Sequence, residues 1–233
     1  MRRGPSFLGG WLLLVIAGTI VFFFGRPLFP FLKAQQETAT VERADELIAQ
    51  LAPSASFGER LAAAALQRTK ARVTYDESYY DGIPYPAGDI PSDRGYGPDL
   101  VVRSFRAVGV DLQQLVHEDM SVNFKLYPQI YPEREADPNI DHRRVPNLQR
   151  FFSRFGESLP SNRDDGAYSV GDIVIWQVGR DRHIGIVVPG PGQRSSERWA
   201  VHNLNAGPVW EHCLFDFEVV GHYRYDGSRE PGK

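Results

Sequence analysis

The stretch Val170-Gly171-Asp172-Ile173-Val174-Ile175-Trp176, followed by Asp181-Arg182-His183-Ile184-Gly185-Ile186-Val187, decides the fold class. Each half is a short run of β-branched and aromatic residues bounded by turn formers, so a Gly-Asp turn feeds one strand and a histidine opens the next. Counted to its apolar ends, this gives strands over Ile173–Val178 and His183–Val188, and Trp199–Asn203 and Val219–Tyr225 repeat the texture. Gly/Pro turns such as Pro189-Gly190-Pro191-Gly192 separate them, and tight turns join antiparallel rather than parallel neighbours. An antiparallel sheet is expected.

Upstream the period changes. Pro98 stands ahead of the apolar stretch Leu100 to Val108, as a proline in a first helical turn does, and Gly109 stops it. Leu61, Ala64, Ala65 and Leu66 give an apolar side to an earlier helix over 58–72, and Ala44, Leu47, Ile48 and Leu51 recur at helical spacing before it. Leu112, Leu115 and Val116, then Val145, Leu148, Phe151, Phe152 and Phe155, mark two later helical segments. Residues 73–96 are dense in Pro, Gly, Asp and Tyr, which makes a long ordered loop. Helices first and sheet second define an α+β fold.

The chain has 233 residues, a net charge of -3 and 42% hydrophobic residues, an ordinary globular composition without the basic excess that nucleic-acid binding needs. From Phe7 to Phe24 no charge occurs, and Leu, Ile, Val and Phe dominate, which predicts a membrane span. Arg2 and Arg3 precede it and orient the N-terminus inward, although Arg26 and Lys33 on the far side oppose that bias. A cleaved signal peptide fits less well, since Phe22-Phe23-Phe24-Gly25-Arg26-Pro27 holds no small-x-small site. The expectation is a single-pass protein of the bacterial inner membrane, anchored in the cytoplasmic membrane by residues 7–24, with its C-terminal domain in the periplasm. Its parts would be a cytoplasmic N-terminus and anchor over 1–34, a linker or amphipathic stalk over 35–56, the α+β domain over 57–226 and a tail over 227–233. Cys213 is the one cysteine, so no intramolecular disulfide forms.

The pair GDIV (171–174) and HIGIV (183–187), a helix before it and a second strand histidine in AVHN (200–203) after it, resembles the papain-like amidases of the NlpC and CHAP type, which cut peptidoglycan peptides. A nearer likeness spans most of 75–225. YPAGDIP (85–91), DLQQLVHEDM (111–120), NIDHRRVPNL (139–148), HIGIVV (183–188), VHN (201–203) and GHYRY (221–225) resemble the bacterial envelope family known after the uncharacterised protein YijF. The resemblance implies a papain-like domain with a cysteine at the N-terminus of its buried helix, where the helix dipole and a histidine favour the thiolate. Family members read Gly-x-Cys-Thr-Asp-Val there. This chain reads Gly95-Tyr96-Gly97-Pro98-Asp99-Leu100, with Gly97 in the nucleophile's place.

No near substitute offers itself. Ser104 lies about 10 Å along the helix, and Tyr96 is an unactivated phenol. Cys213 fits a small buried hydrophobe. The resemblance implies that His183 and His202 face the start of the helix, with His202 orienting His183; the bland alternative is a pair of satisfied sheet histidines. Tyr96, Asp99 and Asn203 are expected beside them on the substrate side. Arg143 and Arg144 either grip a substrate carboxylate or form loop-holding ion pairs, and Asp141 and His142 belong to the same candidate cluster. His117, Glu118, Asp119, Asp137, Asp141 and His142 are metal-competent types, yet no HExxH or comparable spacing is present, and no metal or other cofactor is expected. The function expected is binding of peptidoglycan stem peptide without cleavage. An active amidase using a metal-bound water or an unrecognised nucleophile, and a structural scaffold, are the alternatives.

Overall fold

The computed structural model describes residues 15, 19, 28–192, 197–205 and 207–228. The chain divides into two compact units, Met1–Asp45 and Glu46–Lys233. In the first, the described residues from 28 onward belong to helix α1 (Leu28–Leu51), which crosses the boundary. The single-pass inner-membrane topology with a periplasmic domain is corrected here: among the described residues no helix is long and apolar enough to cross a membrane. The apolar run 7–24 that motivated it lies outside the described residues, apart from 15 and 19.

The second unit is α+β, helices first and an antiparallel sheet after them. Helix α2 (Phe57–Arg68) starts at Ser56, whose hydroxyl accepts from the Glu59 N–H. A two-residue parallel ribbon pairs β1 (Thr74–Tyr75) with β2 (Arg94–Gly95) and leads into α3 (Gly97–Ala107), which has Pro98 in its first turn. Then come α4 (Leu112–Asn123), capped by Asp111, a 3-10 turn over Asp141–Arg143, and α5 (Val145–Phe155).

Six strands close the chain: β3 (Glu157–Ser158), β4 (Ile173–Val178), β5 (Asp181–Pro189), β6 (Arg198–His202), β7 (Val209–Glu211) and β8 (Glu218–Arg224). Their order across the sheet is β3-β8-β4-β5-β6-β7, so the last strand is inserted between β3 and β4. The four long runs legible in the sequence are present; β3 and β7 were not legible, being two and three residues long. Helix α3 packs on α2 and against β5. An aromatic core joins Phe105 of α3, Phe152 of α5 and Tyr225, with ring centroids 5.5–6.0 Å apart. A second apolar cluster holds Val174, Trp176, Val187, Ala200, Cys213 and Leu214.

Candidate functional site

Strands β5 and β6 are neighbours, and they carry His183 and His202 respectively. Nε2 of His183 lies 3.1 Å from Nδ1 of His202 with the ring planes at 80°. Trp176 is paired with His183 in the β4–β5 register; it stacks on that ring and meets His202 edge-on. Gly185 makes room for the indole, since a Cβ there would come within 2.9 Å of two Trp176 ring carbons. This packing excludes water. Burial, helped by the neighbouring His202, pulls the pKa of His183 down to about 3, and burial lowers His202 against the opposing pull of Glu211. At neutral pH the pair is therefore uncharged, one ring donating an N–H that the other accepts.

Gly97 is the first residue of α3. A Cβ built on it would stand 3.2 Å from Nδ1 of His183 and 3.0 Å from its Cε1. The nitrogen of His183 turned away from His202 thus faces a helix N-terminus, where unpaired backbone N–H groups and the macrodipole favour negative charge. Two polar contacts hold this turn in place. The Asp99 carboxylate accepts from the Tyr96 N–H at 2.9 Å, and the Asn203 side-chain amide donates to the Gly95 carbonyl at 3.0 Å, tying the end of β6 to the approach to α3. Gly97, His183, His202 and Asn203 are thereby brought together from three parts of the chain.

The other candidates divide. Arg143 is buried, its guanidinium bound to Asp99 and to the Ser78 carbonyl. Asp141 takes a hydrogen bond from His117 at 2.9 Å, and burial raises its pKa to about 6. His142 is buried beside Arg143, with its pKa pulled down to about 3 by burial first and by that positive neighbour second. Asp119 is held by Arg154 and Tyr127, which removes it from any cluster with His117. Arg144 and Tyr96, in contrast, line an open cavity of about 620 Å³ together with Tyr131, Gln177, Arg180 and Arg182; Glu77 and Asp181 add negative charge to its wall. The residues preceding Gly97 and His183 in sequence are thus part of this groove.

The hydroxyls and the thiol that could serve as a nucleophile near Gly97 are otherwise engaged or suppressed. The Ser104 hydroxyl donates to the Leu100 carbonyl inside the helix. Tyr96 donates its hydroxyl to the Arg143 carbonyl, and burial raises its pKa. Burial, with Glu211 and Asp216 nearby, pushes the Cys213 thiol up to about 12. Sequence reasoning missed Trp176, Gly185, Arg180 and Arg182. The His-x-Gly spacing on β5 was the signal for the first two. For the arginines it was the charged hairpin tip Arg180-Asp181-Arg182, which looks like any solvated turn until Arg144 is seen in the same groove.

The sequence profile of a domain of unknown function, DUF1287, matches residues 62–225. The chain belongs to the DUF1287 family. Gly97, His183, His202, Asn203 and the arginine-lined groove all fall within the DUF1287 region. The uncharacterized protein YijF of Escherichia coli strain K12 is 43% identical over 166 residues, covering 71% of this chain and 80% of that protein. No solved structure matches.

Proposed function

We propose that this DUF1287 chain carries a papain-like domain of the NlpC and CHAP type with a degenerate cysteine centre, and that it binds peptidoglycan stem peptides without cutting them. One observation carries the reading: the 3.2 Å between a Cβ on Gly97 and Nδ1 of His183, whose other nitrogen is engaged by His202. A thiol there, once the His183 ring gives by a few tenths of an ångström to admit the Cβ, would have a proton acceptor and a helix N-terminus at hand. Gly97 offers no atom to attack with, while the histidine pair and the Asn203 tie are retained. The groove supports the ligand class, because Arg144, Arg180 and Arg182 suit peptide carboxylates, and tyrosines offer flat contact surfaces.

The full chain and a Gly97→Cys, Pro98→Thr version are incubated with purified peptidoglycan, and the released fragments are weighed by mass spectrometry. The expected result is no cleavage by the natural sequence and stem-peptide cleavage by the restored version. New fragments from the natural chain would overturn the inactive-centre reading. Binding is checked separately by calorimetry with soluble stem peptides. Arg144→Ala and Arg182→Ala should each weaken affinity about tenfold, roughly 1.4 kcal/mol; a natural chain that takes up no stem peptide sinks the binding reading.

A further inference from the structure

We infer that His202, Glu211 and Cys213 form a binding site for one divalent transition-metal ion, zinc by ligand type, at the β6–β7 edge of the sheet. The inference does not rest on the peptide-binding reading, although it shares His202 with it. The ligand-capable atoms of these residues lie within 4.8 Å of one another, the one such group of three among the described residues. The β6–β7 pairing accounts for two of the three: Glu211 stands opposite Ala200, and His202 lies two residues along from Ala200 on the same face, while Cys213 comes from the segment just after β7 ends. Side chains two apart on a strand share a face.

A second observation comes from His202 itself. Its side chain is only 5% exposed, and Nε2 stands 3.4 Å from a Glu211 carboxylate oxygen without making a hydrogen bond. Such an unsatisfied buried nitrogen costs free energy. The same 3.4 Å is close to the ~3.3–3.8 Å that separates ligand atoms around a tetrahedral ion with bonds of about 2.0–2.3 Å. Cysteine, imidazole and carboxylate together favour zinc over magnesium or calcium. Glu211 is 54% exposed, so its carboxylate can swing to close the set, and its open side leaves the fourth position to water. Coordination passes the Cys213 proton to solvent.

The ion would act on the neighbouring ring. With Nε2 of His202 on the metal, its Nδ1 must carry the proton and donate it in a hydrogen bond to Nε2 of His183. His183 then holds its own proton on Nδ1, the atom facing Gly97. A bound ion thus fixes the proton of His183 on Nδ1, so that atom can accept a proton from a group at position 97 only in the metal-free protein.

The test uses the full chain, prepared without a polyhistidine tag, stripped with chelator and titrated with cobalt(II), then with zinc(II) in competition. The expected spectrum is that of a tetrahedral cobalt ion with a thiolate-to-cobalt charge-transfer band. Cys213→Ser should abolish that band. Glu211→Gln, a change at an exposed side chain, should leave the fold intact and weaken zinc binding at least about tenfold. A cobalt spectrum without the band, or the same one from the natural chain and Cys213→Ser, overturns the site. So does equal zinc affinity in Glu211→Gln.

Discussion

Arg143 and Arg144 are adjacent in sequence and do different work. The first is buried against Asp99, with side-chain exposures of 1% and 3%, and its guanidinium lies over the rings of Tyr80 and Tyr96. The second lies over Tyr131 at 4.1 Å and borders the groove. Removing one partner of a buried ion pair strands the other charge, which costs about 3–5 kcal/mol. Arg143→Met should therefore lower the denaturant midpoint by the equivalent of that amount, and a loss under about 1 kcal/mol would show that Asp99 needs no partner. Arg144→Ala gives up a partly exposed ion pair with Glu133 at 3.3 Å and the contact with Tyr131, and should cost only about 1 kcal/mol. Two neighbouring arginines look alike in a sequence. What separates them is the 3-10 turn over Asp141–Arg143, which turns one inward toward Asp99.

Among the elements, the Gly-Asp turn before β4 joins the helical half to the sheet. Gly171 has a φ of +90°, and a Cβ on it would fall 2.2 Å from the Cα of Gly58 in α2. Glycine is needed there twice over, for the backbone conformation and for the approach of the helix. Gly171→Ala should destabilise by at least about 3 kcal/mol, visible as a large drop in thermal midpoint; an unchanged midpoint would mean that turn and helix can separate freely. The turn and the strand after it were legible because glycine, aspartate and a β-branched run act locally. The contact with Gly58 was not, since the two glycines are 113 residues apart and nothing in either neighbourhood names the other.

For the whole molecule, Asp172 is the charge that links the sheet. It accepts from Ser169 N–H, from Nε2 of His222 and from Arg224 through both of its oxygens, joining the start of β4 to β8. Burial alone would raise its pKa, but the bonds from His222 and Arg224 outweigh that and hold it below the usual carboxylate value. A depressed folded pKa contributes stability that is present above the unfolded value of about 3.9 and is lost as pH falls through the folded one. Denaturant melts should hence show stability from this group intact at pH 7 and 5 and declining below about 4. In Asp172→Asn that acid decline should be shallower, from a starting stability lower by about 2–3 kcal/mol; parallel acid limbs in the two proteins would remove Asp172 from the account. The sequence by itself determined the order of helices and strands, the antiparallel pairing of the long strands and the helix that Pro98 opens and Gly109 stops, because periodicity and turn residues act over a few residues. Only the tertiary structure decided that β8 enters between β3 and β4, that Asn203 anchors the Gly95 carbonyl, that Arg144 joins Arg180 and Arg182 in one groove, and that His202 meets Glu211 and Cys213. Those outcomes depend on which surfaces bury each other best across the folded domain, and no local pattern encodes that choice.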